Sequence, residues 1–276
     1  MSFQYRNLTP AAASLNGGSH RGTETQRNRD TVKMRLGELY MASDADPAPI
    51  VEFVRWLAES HGLPQPLHVL DAGCGPGRLL GPLERLRWRV TGMEPNPDFF
   101  AAARRLAESS RRVDVVQGGF LDVDQAEEFD LVLAINSSFA HLLVPAERAE
   151  ALRRIHDALR PGGVVFIDLP NFVWILRNYR QPEPYTFTAR GETVTLVRRH
   201  EIDFHEAAFI TTDDYVLEDG RVGDRLVHAY GMTTLPELRY HLEEAGFIDL
   251  RTFNGYASRA DERVSGPRML MAARRT

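Results

Sequence analysis

The segment Val69-Leu-Asp-Ala-Gly-Cys-Gly-Pro-Gly-Arg78 sets Gly73, Gly75 and Gly77 at alternate positions directly behind an apolar run. Glycines at that spacing let a backbone approach a ligand closely, and a helix that follows aims its first amide groups at the same point. Asp71 stands two residues before the first glycine, and Glu94 lies 21 residues beyond it, at the end of the next apolar run. A carboxylate there can accept hydrogen bonds from both hydroxyls of a ribose, although a helix-capping acid would occupy the same position. Together the loop and the acid suit an adenosine-containing cofactor. A glycine loop is a weak signal by itself, because dinucleotide-binding folds use G-x-G-x-x-G. Here the third glycine comes one residue early, which disfavours a nicotinamide dehydrogenase.

The elements that must position this loop follow from hydrophobic periodicity. Helical spacing at Ile50, Phe53, Val54 and Leu57 ends at His61-Gly62, and Leu67–Asp71 reads as a buried strand. Leu79, Leu83 and Leu86 predict a helix, and Arg89–Met93 a strand. Asn96 as N-cap with Pro97 at the first helical position predicts another helix that buries Phe100, Ala103 and Leu106. Val113–Gln117, Asp130–Ile135 and Val164–Leu169 are further strands. A helix with Leu152, Ile155 and Leu159 inward separates the last two and stops at Pro161-Gly162. This alternation predicts an α/β fold with a parallel sheet covered on both faces. From Asn171 the rhythm changes. Thr193–Phe204, Ala208–Leu217 and Arg221–Tyr230 read as long strands with an Asp219-Gly220 hairpin turn, an antiparallel insertion over about 172–231. Thr234 and Glu237 sign a capped helix start ahead of Leu238, Leu242 and Ala245. Ile248–Phe253 and Met269–Ala273 close the chain as a strand pair.

Composition narrows the class. The 276 residues are 43% apolar and 26% charged, enough to bury one large core. No run approaches the ~20 apolar residues that span a bilayer, and the start lacks a signal-peptide layout. The expectation is no membrane partner. The single cysteine, Cys74, excludes an internal disulfide and a multi-cysteine zinc site, and it fits a reducing, cytoplasmic setting with no metal expected. Lys33 is the one lysine among 33 basic residues, an arginine bias of the kind G+C-rich bacterial genomes encode. Residues 1–36 carry +4, so the remainder of this −5 chain carries −9. An acidic body disfavours nucleic acid as a partner, while residues 1–34 form a polar, basic N-terminal arm ahead of a domain at 35–276.

Four segments in order resemble the class I S-adenosylmethionine-dependent methyltransferases, over roughly Tyr40 to Arg275. Val69–Gly77 is similar to the family's first motif, and Met93-Glu94-Pro95-Asn96 to its ribose-binding acid. Phe129–Asn136 is similar to its fourth motif, and Leu159-Arg-Pro-Gly-Gly-Val to its fifth-strand entry. The resemblance implies a Rossmann-like seven-stranded sheet of order 3-2-1-4-5-7-6, strand 7 antiparallel, with the antiparallel β insertion after strand 5. It implies S-adenosyl-L-methionine as cofactor, bound by Tyr40, Asp71, Gly73, Cys74, Gly75, Glu94, Pro95, Asn136 and Ser137. Where the family often has an acid near the adenine, this chain has Gly119, so Gly119 backbone and the Phe120 ring are expected there instead. Arg35 is a further candidate, for the cofactor carboxylate.

The acceptor side rests on fewer signals. Ser137-Ser138 stand where adenine and glutamine N-methyltransferases of the family carry two prolines, which argues against a nucleobase acceptor. His141 is the first choice for a general base, since an unperturbed imidazole titrates near ~6.5. Asn171 and Trp174 follow the fifth strand, at the edge where parallel sheets bind ligands, and His228 and Tyr230 end the last insertion strand. These four are the substrate candidates; His200 and His205 lie further back in the insertion. The resulting expectation is methylation of an oxygen or nitrogen on a small metabolite or natural-product intermediate, with a homodimer through the insertion as a further expectation. The alternatives are a protein or RNA methyltransferase that docks its target through the basic arm, and a non-catalytic cofactor-binding module.

Overall fold

The computed structural model describes residues 36–43 and 46–276, so the basic arm and Arg35 lie outside the described residues. The central sheet is built from β1 (His68–Ala72), β2 (Arg89–Glu94), β3 (Val113–Gln117), β4 (Phe129–Ala134), β5 (Leu159–Pro170), β10 (Phe247–Phe253) and β11 (Arg268–Arg275). Their spatial order is β3-β2-β1-β4-β5-β11-β10. The first five run parallel, while β11 pairs antiparallel with both β5 and β10. This is the expected 3-2-1-4-5-7-6 order with the seventh strand reversed.

Side chains alternate across each strand, so odd and even positions build separate cores. Val69, Leu131, Leu133 and Phe166 pack with Phe53, Val54 and Leu57 of helix α2 (Ala48–Ser60) on one face. Leu70, Val132, Val165 and Ile167 pack on the other face with Leu152 and Ile155 of α5 (Pro145–Ala158) and with Leu238 and Leu242 of α7 (Leu235–Glu244). The capping box of Thr234 and Glu237 forms at the start of α7.

Three helical expectations shift by a few residues. In α4 (Pro97–Ala107) Asn96 Oδ1 accepts from the amides of Asp98 and Phe99, as its position predicts, but Phe99 rather than Phe100 is buried and Leu106 is exposed. The helix after the glycine loop, α3 (Leu80–Glu84), is short, because the loop runs on to Leu79 and Arg87 turns left-handed at φ 64°. α5 ends at Ala158 rather than at Pro161, and Leu159 is already extended and paired with Phe129. The ring of Pro161 disfavours helix at the residue before it.

After β5 comes α6 (Phe172–Asn178), then a second sheet of order β6-β7-β8-β9. Its strands are β6 (Tyr185–Ala189), β7 (Glu192–Asp203), β8 (Ala208–Leu217) and β9 (Val222–Gly231), antiparallel throughout. Neither α6 nor β6 is evident in the sequence. β6 is a short edge strand, joined to β7 by Arg190 and Gly191 at φ 51° and 81°, a two-residue turn without the Asn-Gly signature. The remaining helix, α1 (Leu36–Ser43), packs Leu36 and Leu39 with Phe99, Val194, Tyr215 and Leu226 in a third core under the insertion.

Candidate active site

A cavity of about 440 Å³ opens at the C-terminal ends of β1, β2 and β4 and is covered by β9. Parallel sheets bind ligands at this edge, because their loops diverge there and leave a crevice.

The cofactor half of the wall is local in sequence. After β1 the chain turns back on β2, with the Gly73 and Cys74 amides both donating to the Met93 carbonyl, at 2.8 and 3.0 Å. Gly73 sits at φ 76°, and a Cβ there would fall 2.5 Å from Ser138 Cβ, so no side chain fits. Gly75, at φ 58°, faces open cavity: a Cβ there would meet nothing within 4 Å. Glu94 Oε2 accepts from the Gly75 amide at 2.9 Å and Oε1 from the Asn96 amide at 2.8 Å. These bonds lock the carboxylate in place and leave each oxygen a second lone pair for a ligand. Burial raises the Glu94 pKa above the ordinary carboxylate range, partly opposed by the two amides. Asp71 is fully buried, and its Oδ2 has no hydrogen-bond partner among the described residues. Desolvation pushes its pKa up to about 7, against the pull of Arg78.

These residues fit an adenosyl cofactor. An unpartnered buried carboxylate oxygen costs stability unless a ligand donor reaches it, and an ammonium group suits it. Glu94 would hold the ribose, while the open face at Gly75 leaves room for the cofactor beside the loop. Gly119 and Phe120 also line the cavity. Asp122 is turned away from it to accept from the Gly119 amide at 2.8 Å, and Phe120 packs edge-on against Phe139 at 5.3 Å.

The acceptor half draws on distant segments. Asn136 Nδ2 donates to the Tyr40 hydroxyl at 3.2 Å, and Tyr40 packs on Phe99 at 5.1 Å. Beyond Asn136 a 3₁₀ turn, Ser138–His141, brings His141 against β9, where its Nδ1 bonds the Ala229 carbonyl at 3.1 Å. Alternation along β9 aims Leu226, His228 and Tyr230 at one face, and all three line the cavity. The His141 ring lies 4.8 Å from Tyr230 and 5.4 Å from His228, and His228 stacks on Tyr230 at 5.7 Å.

Residues 69–163 match the Methyltransferase domain family. A ubiquinone biosynthesis O-methyltransferase from Methylocella silvestris is 32% identical over 160 residues, which span 48% of this chain and 59% of that one. The sugar N-methyltransferase KedS8 from Streptoalloteichus superposes with a TM-score of 0.70 at 21% identity, over 96% of this chain and 99% of that one. CalS10, a SAM-bound amino pentose methyltransferase from Micromonospora echinaspora, gives 0.65 at 20% identity over 94% and 100%. Residues 69–163 thus carry a Methyltransferase domain, and the chain as a whole shares the fold of S-adenosylmethionine-dependent methyltransferases.

The cavity collects most of the residues expected to meet S-adenosylmethionine. Tyr40, Asp71, Gly73, Cys74, Gly75, Glu94, Pro95, Gly119, Phe120 and Asn136 all stand in the wall, as do His141, His228 and Tyr230. Three expected residues lie elsewhere. Ser137, at φ 72°, turns its hydroxyl out to Arg268 at 3.0 Å, and Ser138 takes its place in the wall with Oγ donating to the Ala72 carbonyl at 3.0 Å. Asn171 is consumed as the N-cap of α6: Oδ1 accepts from the Trp174 amide at 3.3 Å and Nδ2 donates to the Gly266 carbonyl at 2.9 Å. Trp174 lies on α6, outside the wall. His200 packs on Phe209 at 4.7 Å and His205 is exposed, so neither reaches the cavity.

The cavity also uses residues the sequence did not single out, among them Arg78, Phe99 and Leu226. Arg78 directly follows the glycine loop and Phe99 the capped turn, so proximity was a usable signal for both. For Leu226 nothing local marks which way the strand faces.

Desolvation in the cavity draws both histidines below the ordinary imidazole range. It lowers the His141 pKa, with the Ala229 carbonyl opposing, and it takes His228 down to about 4 with a further contribution from His141. A carbonyl only accepts, so Nδ1 of His141 carries the proton and Nε2 is the basic nitrogen.

Proposed function

We propose that this chain transfers the methyl group of S-adenosylmethionine to an oxygen or nitrogen of a small metabolite or natural-product intermediate. The observation that carries the reading is the joining of two chemistries in one cavity. Asp71 and Glu94 present carboxylates suited to the cofactor's ammonium and ribose, and His141 presents a neutral imidazole on the opposite wall. The cofactor supplies a methyl group on a sulfonium, already activated for displacement. Asn136 and Tyr40, linked to each other, hold the wall between the two halves in register. Nε2 of His141 takes a proton where the acceptor must lose one. The cover of Leu226, His228 and Tyr230 excludes water and shapes the space for the acceptor. A cavity of about 440 Å³ lies in the size range of small-molecule sites. The two kinds of relative, one acting in ubiquinone O-methylation and others on sugar amines, support an acceptor of modest size without choosing between oxygen and nitrogen.

The test pairs binding with transfer. Calorimetry with S-adenosylhomocysteine should give saturable binding at one site per chain. Tritium-labelled S-adenosylmethionine should then pass label to at least one compound of a panel of phenols and amino sugars. Absence of homocysteine-product binding would overturn the reading at its first step, and binding without transfer to any small acceptor would overturn its second.

A further inference from the structure

Asn136 and Ser137 are consecutive non-glycine residues in the left-handed region, at φ 54° and 72°. L side chains disfavour that conformation, so a stretch that holds two in a row needs support from its surroundings. The support is visible and comes from outside the cavity. Asp168, buried near the end of β5, receives the Asn136 amide on Oδ2 at 3.0 Å, and its backbone carbonyl receives the Ser137 amide at 3.0 Å. Arg268, at the start of β11, donates Nε to Asp168 Oδ1 at 2.8 Å and Nη1 to Ser137 Oγ at 3.0 Å. Tyr256, from the segment between β10 and β11, donates its hydroxyl hydrogen to Asp168 Oδ2 at 2.6 Å. Burial and the neighbouring Asp168 charge raise the tyrosine pKa, which keeps that hydroxyl a donor.

None of Asp168, Tyr256 and Arg268 lines the cavity, yet together they fix the backbone that leads into the 3₁₀ turn carrying His141. The antiparallel pairing of β11 with β5 makes this possible, because it sets Arg268 opposite Pro170, beside the end of the parallel sheet. We propose that Asp168, Arg268 and Tyr256 are positioning residues, which hold Asn136 and Ser137 left-handed and so aim Asn136 and His141 into the cavity. This inference rests on the methyltransferase reading for its functional meaning and on the hydrogen bonds for its geometry.

Tyr256→Phe removes one hydroxyl, Arg268→Met removes the charge and all donors, and Arg268→Lys keeps the charge without the paired geometry. Amide hydrogen exchange in the ligand-free protein reads the loop, and the ring nitrogen signals of ¹⁵N-labelled His141 read its aim. Tyr256→Phe and Arg268→Met should speed exchange at Asn136 and Ser137 tenfold or more, with β1 and β2 amides at wild-type rates. Both should also shift His141 away from a single Nδ1-protonated form, and Arg268→Lys should recover part of the wild-type signal. A loss of overall stability alone would not move the tautomer. Wild-type exchange at Asn136 and Ser137 with unchanged His141 signals in both variants would overturn the proposal. Should Tyr256→Phe fail to fold, the two Arg268 variants decide the question. Failure of the wild type to bind S-adenosylhomocysteine would instead refute the methyltransferase reading and leave the exchange comparison intact.

Discussion

The imidazoles of His141 and His228 face each other at 5.4 Å, centroid to centroid, across the seam between the β4 loop and the cover strand β9. Desolvation lowers the pKa of both, the Ala229 carbonyl opposes it at His141, and His141 lowers His228 further. With folded pKa values below the unfolded ~6.5, both groups bind protons more readily in the unfolded chain. Their effect on stability is therefore absent above pH ~6.5 and grows as pH falls toward about 4, the value reached by His228. Thermal denaturation should show the melting temperature dropping over that interval. His228→Phe, which keeps the ring volume, should flatten the drop.

Nε2 of His141 stays unprotonated below the usual imidazole range, so the acid limb of the methyl-transfer rate should lie below pH ~6.5. His141→Gln should cut the rate by about 10²-fold or more if a proton is removed from the acceptor. Its affinity for S-adenosylhomocysteine should stay at the wild-type value. Calorimetry and label transfer on the same preparation separate the two effects.

Asp71 gives cofactor binding a pH dependence of opposite origin. Its pKa, pushed up to about 7 by burial, leaves the carboxyl partly protonated at neutral pH in the free protein. Its raised pKa contributes stability fully present below the unfolded value of 3.8 and lost as pH rises through about 7. An ammonium group binds the ionised form, so affinity for S-adenosylhomocysteine should increase from pH 6 to 8 with uptake of the ligand coupled to proton release. Asp71→Asn should bind more weakly and show no slope over that range. Titrations in buffers of different ionisation enthalpy measure the proton directly.

Glu94 supports the loop as well as the ligand. Glu94→Ala strands the Gly75 and Asn96 amides and removes both acceptors for the ribose. Charge-assisted bonds of this kind are worth about 1.5–3 kcal/mol each, so product affinity should fall by about 10²-fold. Glu94→Gln keeps one carbonyl acceptor and should fall between the two.

The antiparallel sheet contains an ion pair that is buried on the aspartate side only. Asp213 of β8 is fully buried and takes Nε and Nη2 of Arg198 of β7 at 2.6 Å each. Arg198→Met would leave that carboxylate without its cation, at a cost below the about 3–5 kcal/mol of a fully buried pair, because the Arg198 side chain is 39% exposed. Chemical denaturation should report a loss below that range, and restoring a neutral pair with Asp213→Asn in the same chain should recover part of it.

The cofactor half of this cavity could be read from the chain because its parts are close in sequence. Gly73, Gly75 and Glu94 lie on one strand-loop-helix-strand unit, and a glycine run behind a buried strand allows few backbone paths. The same holds for the sheet, whose strands announce themselves by continuous apolar runs, and for Asn96 and Thr234, whose caps act within one helical turn. The acceptor half was decided elsewhere. His228 and Tyr230 enter the cavity through the register of β8 with β9, where a slip of one residue would turn both away. Asn171 stood at a strand end suited to a ligand, but the helix it starts claimed its side chain. Ser137 and Ser138 are the same residue type at adjacent positions. Only the left-handed turn at Asn136 and Ser137, held by Asp168, Arg268 and Tyr256 from 32 to 131 residues away, decides which of them faces the cavity. Local preference set the loop, and long-range hydrogen bonding set the wall opposite it.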